Sequence, residues 1–181
     1  MNGWYLTATV VFTPFAFRYV KKEWPIIKAH IPYLILVGVL GVSLFNTLIY
    51  FAGRTSEATN LTLIMLTFPI FIMLISSLVF KERITLLKIT GLLAVLSGVV
   101  TIISKGDLSV LTSLAYNPGD PLMLMAALTF AIHSVLVKKK PKGLSIISLQ
   151  YSTFLIGMLV LLPFYLITKG PGLGFGLSFP V

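Results

Sequence analysis

Residues 31–51 read IPYLILVGVLGVSLFNTLIYF, a stretch without one charged side chain. A helix rises about 1.5 Å per residue, so about 20 apolar residues cross about 30 Å of hydrocarbon. Residues 58–80, ATNLTLIMLTFPIFIMLISSLVF, have the same length and the same lack of charge. Barrel strands would alternate apolar and polar residues. The runs at 35–40 and 155–162 are instead almost continuously apolar. In lipid a helix satisfies its backbone polar groups within its own segment, so these stretches predict helices. Four further candidates flank them. Residues 4–17 contain Pro14, and residues 86–104 carry Lys88 close enough to one end to snorkel; 121–137 and 145–168 complete the set. The expected fold class is all-α: a polytopic transmembrane helix bundle of about six spans.

The composition agrees. Hydrophobic residues make up 57% of the 181 and charged residues 10%, against about 25% charged in a soluble domain. So few charges cannot cover a water-facing surface, and a lipid bilayer is the expected partner. The net charge is +9, from 14 Lys and Arg against 5 Asp and Glu. In a soluble chain that excess would suggest nucleic acid. Here it reads as basic loops facing an anionic leaflet, and no nucleic-acid partner is expected. With no cysteine and only His30 and His133, the sequence offers no metal site, and no cofactor is expected. The start, Met1-Asn2-Gly3-Trp4, lacks the basic region of a cleaved signal peptide.

The connections test the span assignment. Arg18, Lys21, Lys22 and Lys28 follow the first span; Lys81, Arg83 and Lys88 follow the third; Lys138, Lys139, Lys140 and Lys142 follow the fifth. The intervening connections and the tail hold only Arg54, Lys105 and Lys169. This alternation is what the positive-inside rule requires of six crossings. It puts the three basic loops in the cytoplasm and both chain ends on the other side of a cell membrane. Thr55 or Ser56 is placed to cap the third helix. Asp120 followed by Pro121 reads as an N-cap with proline at the first helical position. Residues 170–180, rich in glycine and proline, read as a loop or tail.

Polar residues inside spans are costly in lipid and therefore informative. Ser43, Asn46 and Tyr50 share one face of the second helix, and Asn60 and Thr67 one face of the third. Thr129 and His133 lie four apart on the fifth, and Ser148, Tyr151 and Ser152 cluster on the sixth. Serine, threonine and asparagine also bond across packed helices for about 0.6 kcal/mol each, the blander reading for Ser43, Thr67 and Thr129. Asn46 is harder to dismiss, because an amide costs more to bury than a hydroxyl. His133 is the one ionisable group well inside a span; it is either a neutral, hydrogen-bonded imidazole or a proton acceptor. Asn46, Tyr50, Asn60, Thr67 and His133 are the candidate substrate-pathway residues. Pro69 removes a backbone hydrogen bond and is expected to kink the third helix. Gly91, Ala94 and Gly98 on the fourth read as a close-packing face. No intramembrane carboxylate, thiol or histidine pair is present, so no catalytic residue is assigned and an enzyme is not expected. Residues 170–176 lack the ending of a phosphate loop.

The segment TSEATNLTLIMLTFP, residues 55–69, followed by FKERIT at 80–85, resembles the fourth helix of EamA-type proteins of the drug/metabolite transporter superfamily. That pattern has an Ala-x-Asn start, a mid-helix proline and a Glu-Arg pair, here Glu82 and Arg83, at the cytoplasmic end. Residues 87–103, with Gly91 and Gly98, resemble the fifth helix. Gly119-Asp120, the Ala126-to-His133 segment and Val137-Lys138-Lys139 resemble the start of the second repeat, where the place of His133 is often aromatic. The resemblance covers nearly the whole chain.

It implies a ten-helix carrier fold built of two inverted repeats, with both ends cytoplasmic. The six spans would match helices two to seven. Residues 1–104 would be the rest of the first repeat, 105–120 an extracytoplasmic linker, and 121–181 the start of the second. Lacking the first helix and the last three, the chain is expected to be a fragment or truncated product, and its own outward-facing ends agree with that register. The function implied is alternating-access transport of small metabolites, amino acids or drugs. In that role Asn46 and Asn60 would orient polar substrate groups, Tyr50 would wall the outer mouth, and His133 would accept a proton. The absence of buried Lys or Arg argues against a strongly anionic substrate such as a sugar phosphate. A homo-oligomer is compatible with the sequence. The alternative is a non-transporting membrane scaffold or accessory subunit, and solute flux through proteoliposomes holding only this chain separates the two.

Overall fold

The computed structural model describes residues 2–104 and 116–169. Most of the expected linker (105–115) and the glycine- and proline-rich tail (170–181) lie outside that range. All regular structure among the described residues is helical. In chain order it comprises α1 (Asn2–Ala29), α2 (Ile31–Gly38), a π-helical turn (Val39–Leu44), α3 (Phe45–Thr55), α4 (Ala58–Met65), α5 (Thr67–Phe80), α6 (Leu86–Ser104), α7 (Asp120–Lys138) and α8 (Ile146–Lys169). Among the described residues three helical stretches are long and apolar enough to cross a membrane: Ile31–Thr55, Ala58–Phe80 and Asp120–Lys138. Leu86–Ile102 and Ile146–Leu162 are shorter apolar helical stretches. The chain is thus an all-α helical membrane bundle. It divides into two compact units, Met1–Ser43 with Pro141–Val181, and Leu44–Lys140.

In the first unit, α8 packs against α1 and α2. Backbone proximity sets this packing. A Cβ on Gly157 would lie 2.4 Å from Val42 Cβ, and one on Gly38 would lie 3.0 Å from the Thr153 carbonyl oxygen, so only glycine fits at the first and hardly more at the second. Ser43 Oγ donates to the Gly157 carbonyl at 3.1 Å, bonding across packed helices. Thr129 and Thr67 do not: their hydroxyls donate to Met125 O at 2.8 Å and Ile64 O at 2.6 Å, within or just before their own helices. A threonine hydroxyl reaches its own preceding turn without needing a neighbouring helix. At the start of α8, Ser145 Oγ accepts from Ser148 N at 3.1 Å, and Glu23 of α1 accepts from Ser145 N at 2.8 Å. A carboxylate is well placed there, because helix N-termini carry unpaired N–H groups and partial positive charge.

The first helix departs from expectation. It was expected to end near residue 17 and give way to a basic loop. Instead α1 continues to Ala29 through Arg18, Lys21, Lys22 and Lys28, and contains both Pro14 and Pro25. Loss of hydropathy marks where a helix leaves lipid, not where it ends, and Lys and Arg are good helix formers.

In the second unit, α7 is central and packs against α3, α4 and α5. Leu48 and Ala52 of α3 form a buried core with Met123 and Ala126 of α7, flanked by Phe45, Ile64 and Phe68. Ala126, Ala127 and Ala131 are fully buried on α7, where small side chains let helices approach. By contrast α6 is exposed over most of its surface, Leu87 to 82%. A Cβ on Gly91 or Gly98 would meet nothing within 4 Å. The close packing expected at these glycines therefore has no partner among the described residues.

The third span is interrupted at Leu66, between α4 and α5. Pro69 has no N–H for the Met65 carbonyl, and its ring crowds that turn. The chain tightens instead, with Leu66 N bonding Leu63 O at 3.1 Å. α5 ends on Lys81, whose φ of 53° is the left-handed conformation that closes many helices.

Candidate functional site

Within the second unit, α5, α6 and α7 line an open cleft of about 700 Å³. This is in the range of small-molecule sites, about 300–1,000 Å³. Its walls are mostly apolar: Phe68, Ile72 and Met73 from α5, Leu92 and Val95 from α6, and Phe130 from α7, with the Ser76 and Ser77 hydroxyls of α5 between them. Pro69 also lines it, so the helix interruption lies beside the cleft. Phe68 and Phe130 have ring centroids 5.5 Å apart, and Phe45 lies 6.0 Å from Phe68 and 5.0 Å from Phe130. This aromatic cluster rigidifies the wall with large rings of few rotamers.

One end of the cleft is charged. Glu82, Arg83, Lys88 and Lys138 all line it. Lys138 Nζ donates to Glu82 Oε1 and sits 4.6 Å from the centre of the Phe80 ring. Lys88 Nζ lies 3.5 Å from Glu82 Oε2. One carboxylate thus joins the α5–α6 connection, the first turn of α6 and the last residue of α7. The hydrogen bond from Lys138, aided by the charges of Lys138 and Lys88, holds the Glu82 carboxyl below its ordinary range. The groups are half exposed, so solvent screens the pair.

A second polar cluster ties together the other end of the unit. Asp120 accepts from Ser56 Oγ, from Asn60 Nδ2 at 3.1 Å and from the Asn117 backbone N–H at 2.9 Å. Gly119 lies so close to α3 that a Cβ would fall 2.4 Å from the Ala52 carbonyl oxygen. Asp120 was expected to cap its own helix and Thr55 or Ser56 to cap the third. Asp120 is instead the first residue of α7, its carboxylate reaching back to Asn117 and across to α4. Ser56 is committed to Asp120, and Thr55 Oγ1 bonds the Phe51 carbonyl at 3.1 Å. A carboxylate draws these donors because charge-assisted hydrogen bonds are the stronger ones.

All five residues singled out for the pathway fall in this second unit, but they do not converge on one point. Asn46 is half-buried on α3. Tyr50 is half-buried against Phe51, with the Arg54 guanidinium 5.7 Å from its ring centre. Asn60 is buried in the Asp120 cluster. Thr67 stands at the start of α5, beside the helix interruption. His133 is half-buried with its ring 6.1 Å from Phe130, which makes it a neighbour of a cleft-lining residue. Of the residues singled out as structural, Pro69, Glu82 and Gly91 line the cleft, and Asp120 anchors the opposite end. Sequence reasoning had placed Lys88 at a snorkelling helix end and among the loop charges, and Lys138 in a basic loop and in the resemblance to the second repeat, but had joined neither to Glu82 and had not paired Phe68 with Phe130. The signals pointing here were Pro69 and the Glu82-Arg83 pair.

The chain is 24% identical over 166 residues to the uncharacterized transporter YyaM of Bacillus subtilis, covering 92% of this chain and 54% of that protein. It is 28% identical over 145 residues to YoaV, an uncharacterized transporter of the same organism, covering 80% and 49%. An uncharacterized transporter of Clostridium kluyveri is 23% identical over 171 residues, covering 92% and 54%. The chain spans about half the length of the curated relatives it matches. No solved structure matches it. The pattern of the EamA-like transporter family matches residues 3–104, more than half of the chain. The chain belongs to the EamA-like transporter family.

Proposed function

We propose that this chain forms the substrate-handling part of a secondary carrier that moves small metabolites, amino acids or drugs across the cell membrane by alternating access. The observation that carries the reading is the apolar, aromatic-walled cleft beside the Pro69 interruption, of a size to hold a small molecule. Carriers place substrate sites where spanning helices are discontinuous, since irregular backbone is tolerated in a membrane only where protein or a cavity covers it. In this reading residues 1–104 belong to the first repeat, residues 105–120 link it to the second, and residues 121–181 begin that second repeat. The three basic stretches, the first of them the C-terminal half of α1, face the cytoplasm. Asn46, Tyr50, Asn60, Thr67 and His133 supply the polar side chains of the pathway, and no catalysis is involved.

Proteoliposomes test this. Vesicles holding the chain should accumulate labelled amino acids or drugs faster than empty vesicles, with saturation. Uptake no faster than into empty vesicles across a broad panel would contradict the reading and favour a scaffold.

A further inference from the structure

The cleft has two chemically distinct parts, and together they define a ligand. Large apolar side chains line its walls, while Glu82, Arg83, Lys88 and Lys138 line one end, two of the cations, Lys88 and Lys138, paired with the Glu82 carboxylate. Three cations to one anion leave that end positive. The charges are held by specific contacts: Lys138 is fixed between the Phe80 ring and Glu82, and Lys88 approaches the second oxygen of the same carboxylate. Glu82 therefore presents to the two ammonium groups the chemistry of a ligand carboxylate, with one oxygen for each lysine.

We infer that the cleft takes a small monocarboxylic acid with an apolar tail, whose carboxylate replaces that of Glu82 on Lys88 and Lys138 while the tail lies against Phe68 and Phe130. This rests on the carrier reading above and names its substrate class. Charge complementarity selects an anion, and the apolar walls select a tail without further charge. Along those walls the polar groups are the Ser76 and Ser77 hydroxyls, so the further charges of a ligand such as a sugar phosphate find no charged partner there. Glu82 acts as an internal competitor. With the cleft empty it neutralises the lysines; with the acid bound it is released, which frees the α5–α6 connection from α7. Substrate entry is thereby coupled to loosening at this end of the unit.

Equilibrium binding of labelled 4-phenylbutyrate to the purified chain tests the inference, in nanodiscs of phosphatidylcholine alone. The acid should bind, and its uncharged amide should bind about tenfold or more weakly, the loss expected when a hydrogen bond to a charged group goes. Lys138→Gln should weaken binding by a similar factor, with Lys138→Arg restoring most of it. Glu82→Gln should tighten binding about threefold or more, because the competent state no longer shares its lysines. Misfolding cannot produce that gain. Equal binding of acid and amide, or weaker binding by Glu82→Gln, would overturn the inference. So would loss of 4-phenylbutyrate binding when anionic lipid is added, since the cleft would then be a lipid headgroup site. If no acid binds while vesicles still take up other solutes, the substrate class fails and the carrier stands. If the acid binds as described but no solute is moved, the site stands and the carrier reading fails.

Discussion

Gly119→Ala probes the contact that joins α3 to α7 at the Asp120 end. The added Cβ would lie 2.4 Å from Ala52 O, 2.7 Å from Thr55 Oγ1 and 2.9 Å from Ser56 Cβ. Ordinary contact begins near 3.4 Å, so the methyl group is about 1 Å too close to a helix carbonyl. The Thr55 hydroxyl can turn aside, but Ala52 O belongs to the backbone of α3 and moves only with the helix. Overpacking of this kind costs about 1–3 kcal/mol. Separating the helices also strains the Ser56–Asp120 and Asn60–Asp120 hydrogen bonds, which favours the upper half of that range. At about 2–4 °C per kcal/mol for a chain of this size, a cost of about 2 kcal/mol lowers the melting temperature by about 4–8 °C. Far-UV circular dichroism in detergent micelles reads this directly. Thr55→Ala in the same chain should not rescue it, because the nearest atom is the Ala52 oxygen. A Gly119→Ala melting point unchanged to within about 1 °C, or full rescue by Thr55→Ala, would refute the reasoning.

Other perturbations separate the remaining contacts. The Glu82 carboxyl is held below its ordinary value of 4.5, so its pairing contributes above that pH and is lost as pH falls through the lowered value. Hydrogen exchange of residues 81–88, corrected for intrinsic rates, should therefore rise on acidification in the native chain and stay flat in Glu82→Gln; equal profiles would contradict the pairing. Glu23→Ala removes the acceptor for Ser145 N at the start of α8 and should cost about 0.5–2 kcal/mol, as lost helix caps do, read as a lower midpoint of unfolding. In a transporting preparation, His133→Phe should abolish the pH dependence of uptake. Uptake by the unmutated protein that is flat between about pH 5 and 8 would remove the proton role.

The helices were legible where hydropathy and helix coincide, although among the described residues three stretches, against the six expected, are long and apolar enough to cross a membrane. Residues 58–80 and 86–104 were read with the bounds the structure gives, and α7 differs from the expected 121–137 by one residue at each end. Local chemistry also located the proline effect, although the interruption falls at Leu66, three residues before Pro69, because the ring acts on the preceding turn. What hydropathy missed are features it does not encode. The helical course of residues 18–29 is polar, and leaving lipid was mistaken for leaving helix. The π-helical turn at Val39–Leu44 carries no residue signature that distinguishes it from ordinary helix. At the site, Glu82 and Lys138 are 56 residues apart, and Asn60 and Asp120 are 60 apart. No periodicity links such pairs, since they are created by helix packing. The aromatic wall was hidden for the same reason: Phe45, Phe68 and Phe130 sit on three helices and stand out in none.

The chain contains no cysteine, so a single introduced thiol reports its own position. Arg54→Cys, Arg83→Cys and Lys140→Cys, each made separately and treated in intact cells with a membrane-impermeant maleimide, test the topology on which the carrier reading stands. Position 54 should react from outside, and positions 83 and 140 only after the membrane is opened. Reaction of 54 and 140 from the same face would contradict a helical bundle with its basic stretches gathered in the cytoplasm.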